Sequence, residues 1–149
     1  MRRANHFMLA SLLALALVAS FALTGCADPG PTFVEHGASY SQASALKLLE
    51  GVDTSKLAQR PTSDAEKLRH TALAALRRNG TTAAAAADLL IKTMPTTAHG
   101  VPVYVELGSF GAKPATILVE ATGPNSGKLS TKRFWAFGPD GTVLFVATR

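Results

Sequence analysis

The spacing of apolar residues changes once along this chain, and that change restricts the fold more than any other feature. Between Ser41 and Met94 apolar residues recur every three to four positions, which is typical of helices buried on one side. From Val101 onward they recur at every second position, as they do in strands. Helices followed by a separate run of strands predict an α+β domain with helices packed on an antiparallel sheet.

Three segments carry the helical pattern. Residues 41–50 form a short candidate, and the stretch from Ser63 opens with the Ser-Asp-Ala-Glu pattern of a capping box. Asparagine and glycine at 79–80 are expected to end the second helix, and Thr81 or Thr82 to cap the third. The residues expected to face the core are Leu68, Ala72, Leu73, Leu76, Ala83, Ala87, Leu90, Ile91 and Met94.

Four strands are predicted in the second half of the chain, at residues 101–107, 115–122, 132–137 and 142–148. Pro139, Asp140 and Gly141 fit a type I turn followed by a left-handed glycine, so the last two strands are predicted to form a hairpin. The predicted architecture is two to three helices packed on one face of a four-stranded antiparallel meander.

The N-terminus has the layout of a secretory signal peptide. Arg2 and Arg3 precede an uninterrupted run of 16 apolar and small residues from Phe7 to Ala22. This run is shorter than the ~20 residues that a transmembrane helix needs. A positive segment followed by such a run is typical of an exported chain, so residues 1–25 are expected to be removed.

Residues 23–26, Leu-Thr-Gly-Cys, resemble the lipobox of bacterial lipoproteins. The resemblance implies that Cys26 becomes the first residue, that its thiol carries a diacylglyceryl group, and that its amino group often carries a third acyl chain. Two or three acyl chains satisfy the two-signal requirement for stable anchoring in a lipid bilayer. The expected location is the extracytoplasmic face of the cell membrane. Residues 26–40 are predicted to be a tether, and residues 41–149 a single domain.

Composition excludes several classes of partner and site. Removing Arg2 and Arg3 lowers the net charge from +5 to +3, and the remaining basic residues are scattered. No run of Lys and Arg with interleaved aromatic residues is present, so nucleic acid is not an expected partner. Because Cys26 is the only cysteine, lipidation leaves none for a disulfide, a metal site or a thiol nucleophile.

No motif predicts an enzyme, a metal site or a cofactor site. The spacings of His36, His70 and His99 match no metal motif. Phosphate loops, dinucleotide fingerprints and nucleophile elbows are also absent from the sequence.

Glu106 and Glu120 are the pair that most suggests acid–base chemistry, because they lie on neighbouring predicted strands. If Leu107 pairs with Ala115, the two glutamates are about 13 Å apart, at about 3.3 Å per residue. Glycosidases need about 5 to 9.5 Å between their carboxylates. We therefore expect both glutamates to keep one strand face soluble.

The predicted hairpin is apolar on both faces. One face offers more apolar area and is assigned to the core under the helices; it comprises Trp135, Phe137, Val143 and Phe145. The opposite face is predicted to carry an exposed apolar patch rimmed by charge, which is a common mark of a partner site. The predicted binding residues are Tyr104, Leu118, Phe134, Leu144 and Val146. The alternative is that Phe33, Val34 and the first helix cover this face.

These features predict a membrane-anchored envelope lipoprotein whose domain is a non-enzymatic binding or accessory module for a protein or cell-wall partner. A carrier of a small apolar ligand is the alternative, and an envelope hydrolase with an unrecognised site is a third hypothesis. The first requires an exposed apolar patch, and the second requires a cavity between helices and sheet. The third requires polar groups that converge in a cleft.

Overall fold

A computed structural model describes residues 30–94 and 100–149. The predictions that fall on the signal peptide, on Cys26 and on His99 lie outside these residues. The helices are α1 (Gln42–Gly51), α2 (Ala65–Arg77) and α3 (Thr81–Thr93). The strands are β1 (Thr32–Val34), β2 (Ser39–Tyr40), β3 (Val101–Phe110), β4 (Lys113–Thr122), β5 (Thr131–Phe137) and β6 (Val143–Thr148).

The strands form one mixed sheet in the order β1-β3-β4-β5-β6, with β2 also paired to β3. β3 to β6 form the predicted antiparallel meander, whereas β1 and β2 run parallel to β3. The α+β class agrees with the sequence, but the sheet has six strands rather than four and is not purely antiparallel. Both additional strands lie in the segment predicted to be a tether.

Helices cover both faces of the sheet, so the prediction that they pack on one face is wrong. α2 and α3 pack on the face that carries Leu118 and Phe137. α1 packs on the face that carries Ile117 and Phe134. All four of these strand side chains have no exposed surface. Because β4 and β5 are apolar on both sides, each face needs its own cover.

The core faces of the helices follow the predicted stripes with one exception. Leu73, Leu76, Ala83, Leu90 and other predicted positions are buried, and Leu68 is partly buried. Ile91 is 46% exposed because it lies outside the face that α3 turns to the core.

The helix caps differ from the prediction. No capping box forms at Ser63, because the segment before α2 is a 3₁₀ turn and the helix begins at Ala65. A capping box forms instead at the N-terminus of α1. The N–H of Ser44 donates to the hydroxyl of Ser41, and the N–H of Ser41 donates to the hydroxyl of Ser44. At α3 neither predicted threonine is the cap, and Gly80 occupies that position with φ +111°.

Two differences from the predicted strand registers decide which side chains share a face. Leu107 pairs with Thr116 rather than Ala115, one residue from the predicted register. In the hairpin, Phe137 pairs with Val143 as predicted. The register then shifts at Leu144, the extra residue of a β-bulge, so that later β6 residues change face.

Candidate functional site

The five residues of the predicted patch do not form one surface. Leu118 and Phe134 are fully buried on opposite faces of the sheet. Tyr104 and Leu144 are partly buried beside α1, whereas Val146 is 46% exposed. The bulge separates Val146 from Leu144, so the exposed patch proposed from the sequence is not assembled.

In the alternative predicted from the sequence, Phe33, Val34 and the first helix cover the predicted patch, and the structure agrees with part of it. Phe134 packs with Ala45 and Leu49 of α1 and with Tyr40 of β2. Phe33 instead packs against the core on the α2–α3 face. The first helix therefore covers Phe134 and its neighbours, whereas Phe33 packs on the opposite face, which carries Leu118.

Glu106 is buried at the centre of a hydrogen-bonded group, which we call the Glu106 cluster. The hydroxyls of Tyr40 and Tyr104 donate to its Oε2 atom at 2.7 and 2.5 Å, and the N–H of Ala38 donates to Oε1 at 2.5 Å. The loop between β1 and β2 closes over it, since a Cβ on Gly37 would lie 2.0 Å from Oε1. The cluster fastens β2 and this loop to β3.

Burial and the Glu106 carboxylate together raise the pKa of both tyrosines in this cluster. Burial, followed by the hydrogen bond to Glu106, raises the pKa of Tyr104 to about 12. The same causes raise the pKa of Tyr40. Glu106 is only 2% exposed, so the expectation that it keeps a strand face soluble is wrong.

Glu120 is also fully buried, so the same expectation is wrong for it. The Nε1–H of Trp135 donates to its Oε1 atom at 2.9 Å, and Nη1 of Arg133 lies 3.6 Å from that oxygen. Within the described part of the chain, its Oε2 atom has no hydrogen-bond partner, and a Cβ on Gly100 would lie 1.8 Å from it. Burial raises the pKa of Glu120, an effect that Trp135, Arg133 and Arg69 partly oppose.

The two glutamates project to opposite faces of the sheet. Glu106 pairs with Ile117, and Glu120 lies three residues further along β4. Side chains alternate along a strand, so an odd separation places these two on different sides. They therefore do not form an acid–base pair.

A cleft of about 270 Å³ lies beside the first residues of β3, and we call it the β3-edge cleft. β1 pairs with β3 only from Tyr104 onward, which leaves residues 101–103 as an uncovered edge. Pro102 has no N–H to offer an additional strand there. The other walls are residues 30–32, part of α2 and the loop that follows α1.

The walls of this cleft combine apolar side chains with hydroxyl groups. The apolar lining includes Leu57, Leu68, Ala72, Val101 and Val103, and the hydroxyls are those of Thr32, Thr54 and Thr71.

Asp53 and Lys56 are the ionisable residues of the lining. Asp53 accepts a 2.8 Å hydrogen bond from the N–H of Ser55, which holds the pKa of its carboxyl below the usual value. A lowered pKa is unsuitable for a general acid or base near neutral pH. The carboxylate and the ammonium group of the lining can contact polar groups of a ligand.

Among the residues that the structure covers, no group of three or more His, Cys, Asp and Glu is placed to hold a metal, and His36 and His70 are exposed. No helix in residues 30–94 or 100–149 has the length and apolar character needed to cross a membrane.

No family model, curated protein or solved structure matches this chain.

Sequence reasoning missed the Glu106 cluster, the burial of Glu120 and the β3-edge cleft. One local signal for the Glu106 cluster was available: Tyr104 and Glu106 are two residues apart and so share a strand face. The third partner, Tyr40, enters only through β2, whose two residues give no periodic signal.

Proposed function

We propose that this protein is a cell-envelope lipoprotein, held on the membrane by acyl chains on Cys26, whose domain is a non-enzymatic module that binds a small ligand. The observation that carries the proposal is the β3-edge cleft, because it is concave and lined by apolar side chains with a few polar groups. Small-molecule sites usually have this composition. Residues 30–32, which follow Cys26 closely, form one of its walls.

The burial of two of the patch residues and the presence of the cleft favour the ligand-binding hypothesis over the hypothesis of a protein-binding patch. Leu118 and Phe134 of that patch are buried, whereas the cleft lies between a helix and the sheet edge. The enzyme hypothesis has the least support, because both buried carboxylates are enclosed and the pKa of the Asp53 carboxyl in the cleft lies below its usual value.

The anchor is tested by fractionating cells that express the chain or its Cys26→Ala variant. We expect the parent in the membrane fraction, with lipid on the N-terminal cysteine by mass spectrometry, and a Cys26→Ala variant that is neither lipidated nor cleaved there. An unmodified Cys26 on the mature parent would contradict the proposal.

A protein partner is a second candidate, favoured by the open edge of β6. Lys132 and Arg149 exchange both backbone hydrogen bonds, so alternation turns the N–H and C=O of Val146 and Thr148 away from β5. These outward groups are free to pair with an extended segment of another protein.

A positive charge on this edge tests the second candidate. Val146→Lys should remove envelope-protein crosslinks at β6 without changing the melting temperature. Ile91→Lys is the matched control, since both side chains are 46% exposed. Equal crosslinking in the two variants would rule out the β6 edge.

A further inference from the structure

We propose that the β3-edge cleft takes up one acyl chain of a membrane lipid. The inference rests on the proposed function, because it requires that Cys26 is the anchored residue. Its evidence is the position of the cleft relative to the anchor and the chemistry and size of its walls.

The cleft is held close to the bilayer surface. Gly30, which lines it, is four residues from Cys26, and four extended residues span at most about 14 Å. Gly30 is also fixed against α2, since a Cβ at this position would lie 2.4 Å from the Cβ of Ala75. At such a distance the lipids of the membrane are the most concentrated amphiphiles available.

The walls of the cleft suit an amphiphile. Leu57, Leu68 and Val103 offer apolar surface to an alkyl chain, whereas Asp53 and Lys56 in the loop after α1 can contact a polar head group. Transfer of an alkyl chain between apolar environments carries little hydration penalty, so such a surface can exchange lipid with a bilayer.

The volume limits how much of a lipid can enter. An apolar cavity of about 150 Å³ binds benzene, so a cleft of about 270 Å³ has room for about ten carbon atoms. It is slightly smaller than the usual range of ligand sites, about 300 to 1,000 Å³. The occupant is therefore a segment of one acyl chain, with the rest of the lipid outside.

The test uses the lipidated protein, purified from membranes and reconstituted in phosphatidylglycerol vesicles. The vesicles contain phosphatidylglycerol with a photoreactive diazirine on one acyl chain. After irradiation, mass spectrometry should locate the label on residues 68–72 of α2 and on residues 101–103 of β3.

Paired variants on one helix identify the cleft as the binding site. Thr71→Phe narrows the cleft and should reduce this labelling at least fivefold. Ala74→Phe introduces the same aromatic side chain at an exposed α2 position outside the cleft, and labelling should stay at the parent level. If Thr71→Phe fails to fold, Thr54→Phe narrows the opposite wall. Equal labelling in cleft and control variants, or label confined to other surfaces, would overturn the proposal.

Two further observations separate the possible failures. Mass spectrometry of the N-terminal peptide is recorded before reconstitution, and an unmodified Cys26 would overturn both proposals. A lipidated Cys26 without cleft labelling would overturn only the lipid site. In a second arm the diazirine is carried by the acyl chains on Cys26 and the vesicles are unlabelled. Cleft labelling in that arm alone would assign the site to the protein's own anchor and overturn uptake of a bilayer lipid.

Discussion

Replacing Glu106 with glutamine tests whether the buried carboxylate holds β2 and its loop on the sheet. The carboxylate accepts hydrogen bonds from the hydroxyls of Tyr40 and Tyr104 and from the N–H of Ala38. In Glu106→Gln one acceptor oxygen becomes an NH₂ donor, so the two phenol hydroxyls lose their shared acceptor. Glu106→Leu removes the acceptor for all three donors.

The expected loss of stability follows from the number of donors left without an acceptor. Each unsatisfied buried donor costs about 1 to 3 kcal/mol. Tyr104 is partly buried and can reach water, and a phenol oxygen can accept from the new amide, so we expect about 2 to 3 kcal/mol for Glu106→Gln. For Glu106→Leu three donors give about 3 to 9 kcal/mol, and because Ala38 is exposed and Tyr104 only partly buried we expect the lower part of that range, about 3 to 6 kcal/mol. This is a large part of the ~5 to 15 kcal/mol of a typical domain.

Urea unfolding measures this loss on a chain that begins at Ala27 and so retains β1. Glu66→Gln, on the exposed face of α2, is the control and should lower the free energy of unfolding by at most about 1 kcal/mol, because it removes one charge from the first turn of the helix. The only two tyrosines of the chain are both in the cluster, so the absorbance of tyrosinate during alkaline titration reports on it without background.

The raised pKa of Tyr104 also predicts how stability changes as the pH rises. The pKa of Tyr104 is raised from 10.0 to about 12, so the folded state retains its proton longer than the unfolded state does. This contribution to stability is complete below pH 10 and is lost as the pH rises from about 10 to about 12. In Glu106→Gln the tyrosine titration should shift toward pH 10. A variant as stable as the parent, with an unchanged titration, would refute the role of the carboxylate.

Three further predictions concern the core, a helix cap and Glu120. Leu76→Ala should cost about 2 to 5 kcal/mol in urea unfolding, because Leu76 is fully buried; parental stability would contradict the core assignment. Ser41→Ala should cost about 1 kcal/mol, whereas Ser63→Ala should stay within about 0.5 kcal/mol; the reverse order would contradict the observed caps. Burial raises the pKa of Glu120, so stability should fall as the pH rises from 4.5 through the folded-state value, and Glu120→Gln should remove that fall. The fluorescence of Trp135, the only tryptophan, follows this unfolding, and equal pH dependence in parent and variant would exclude the effect.

The sequence by itself determines which segments become α1 to α3 and β3 to β6, within a few residues at most ends. Those features depend on spacing along the chain, such as the stripe that includes Leu73 and Leu76, and on local turns, such as Gly141 in the final hairpin. The order of helices and then strands also predicts the α+β class.

Only the tertiary structure decides which helix covers each face of the sheet and which face each β6 side chain occupies. β4 and β5 are apolar on both sides, so their sequence does not state which side α1, α2 or α3 covers. A one-residue bulge at Leu144 changes the face of every later side chain in β6, and its position depends on pairing with β5 rather than on a local signal.

Pairing across long sequence separations accounts for the remaining differences. β1 and β2 have three and two residues, so their backbones become strands only because the edge of β3 supplies hydrogen bonds. Glu106 is stable in the interior because Ala38 and Tyr40, 68 and 66 residues away, supply its donors. The sequence therefore determines the local elements, whereas the buried carboxylates and the β3-edge cleft arise from contacts that form only when distant segments meet.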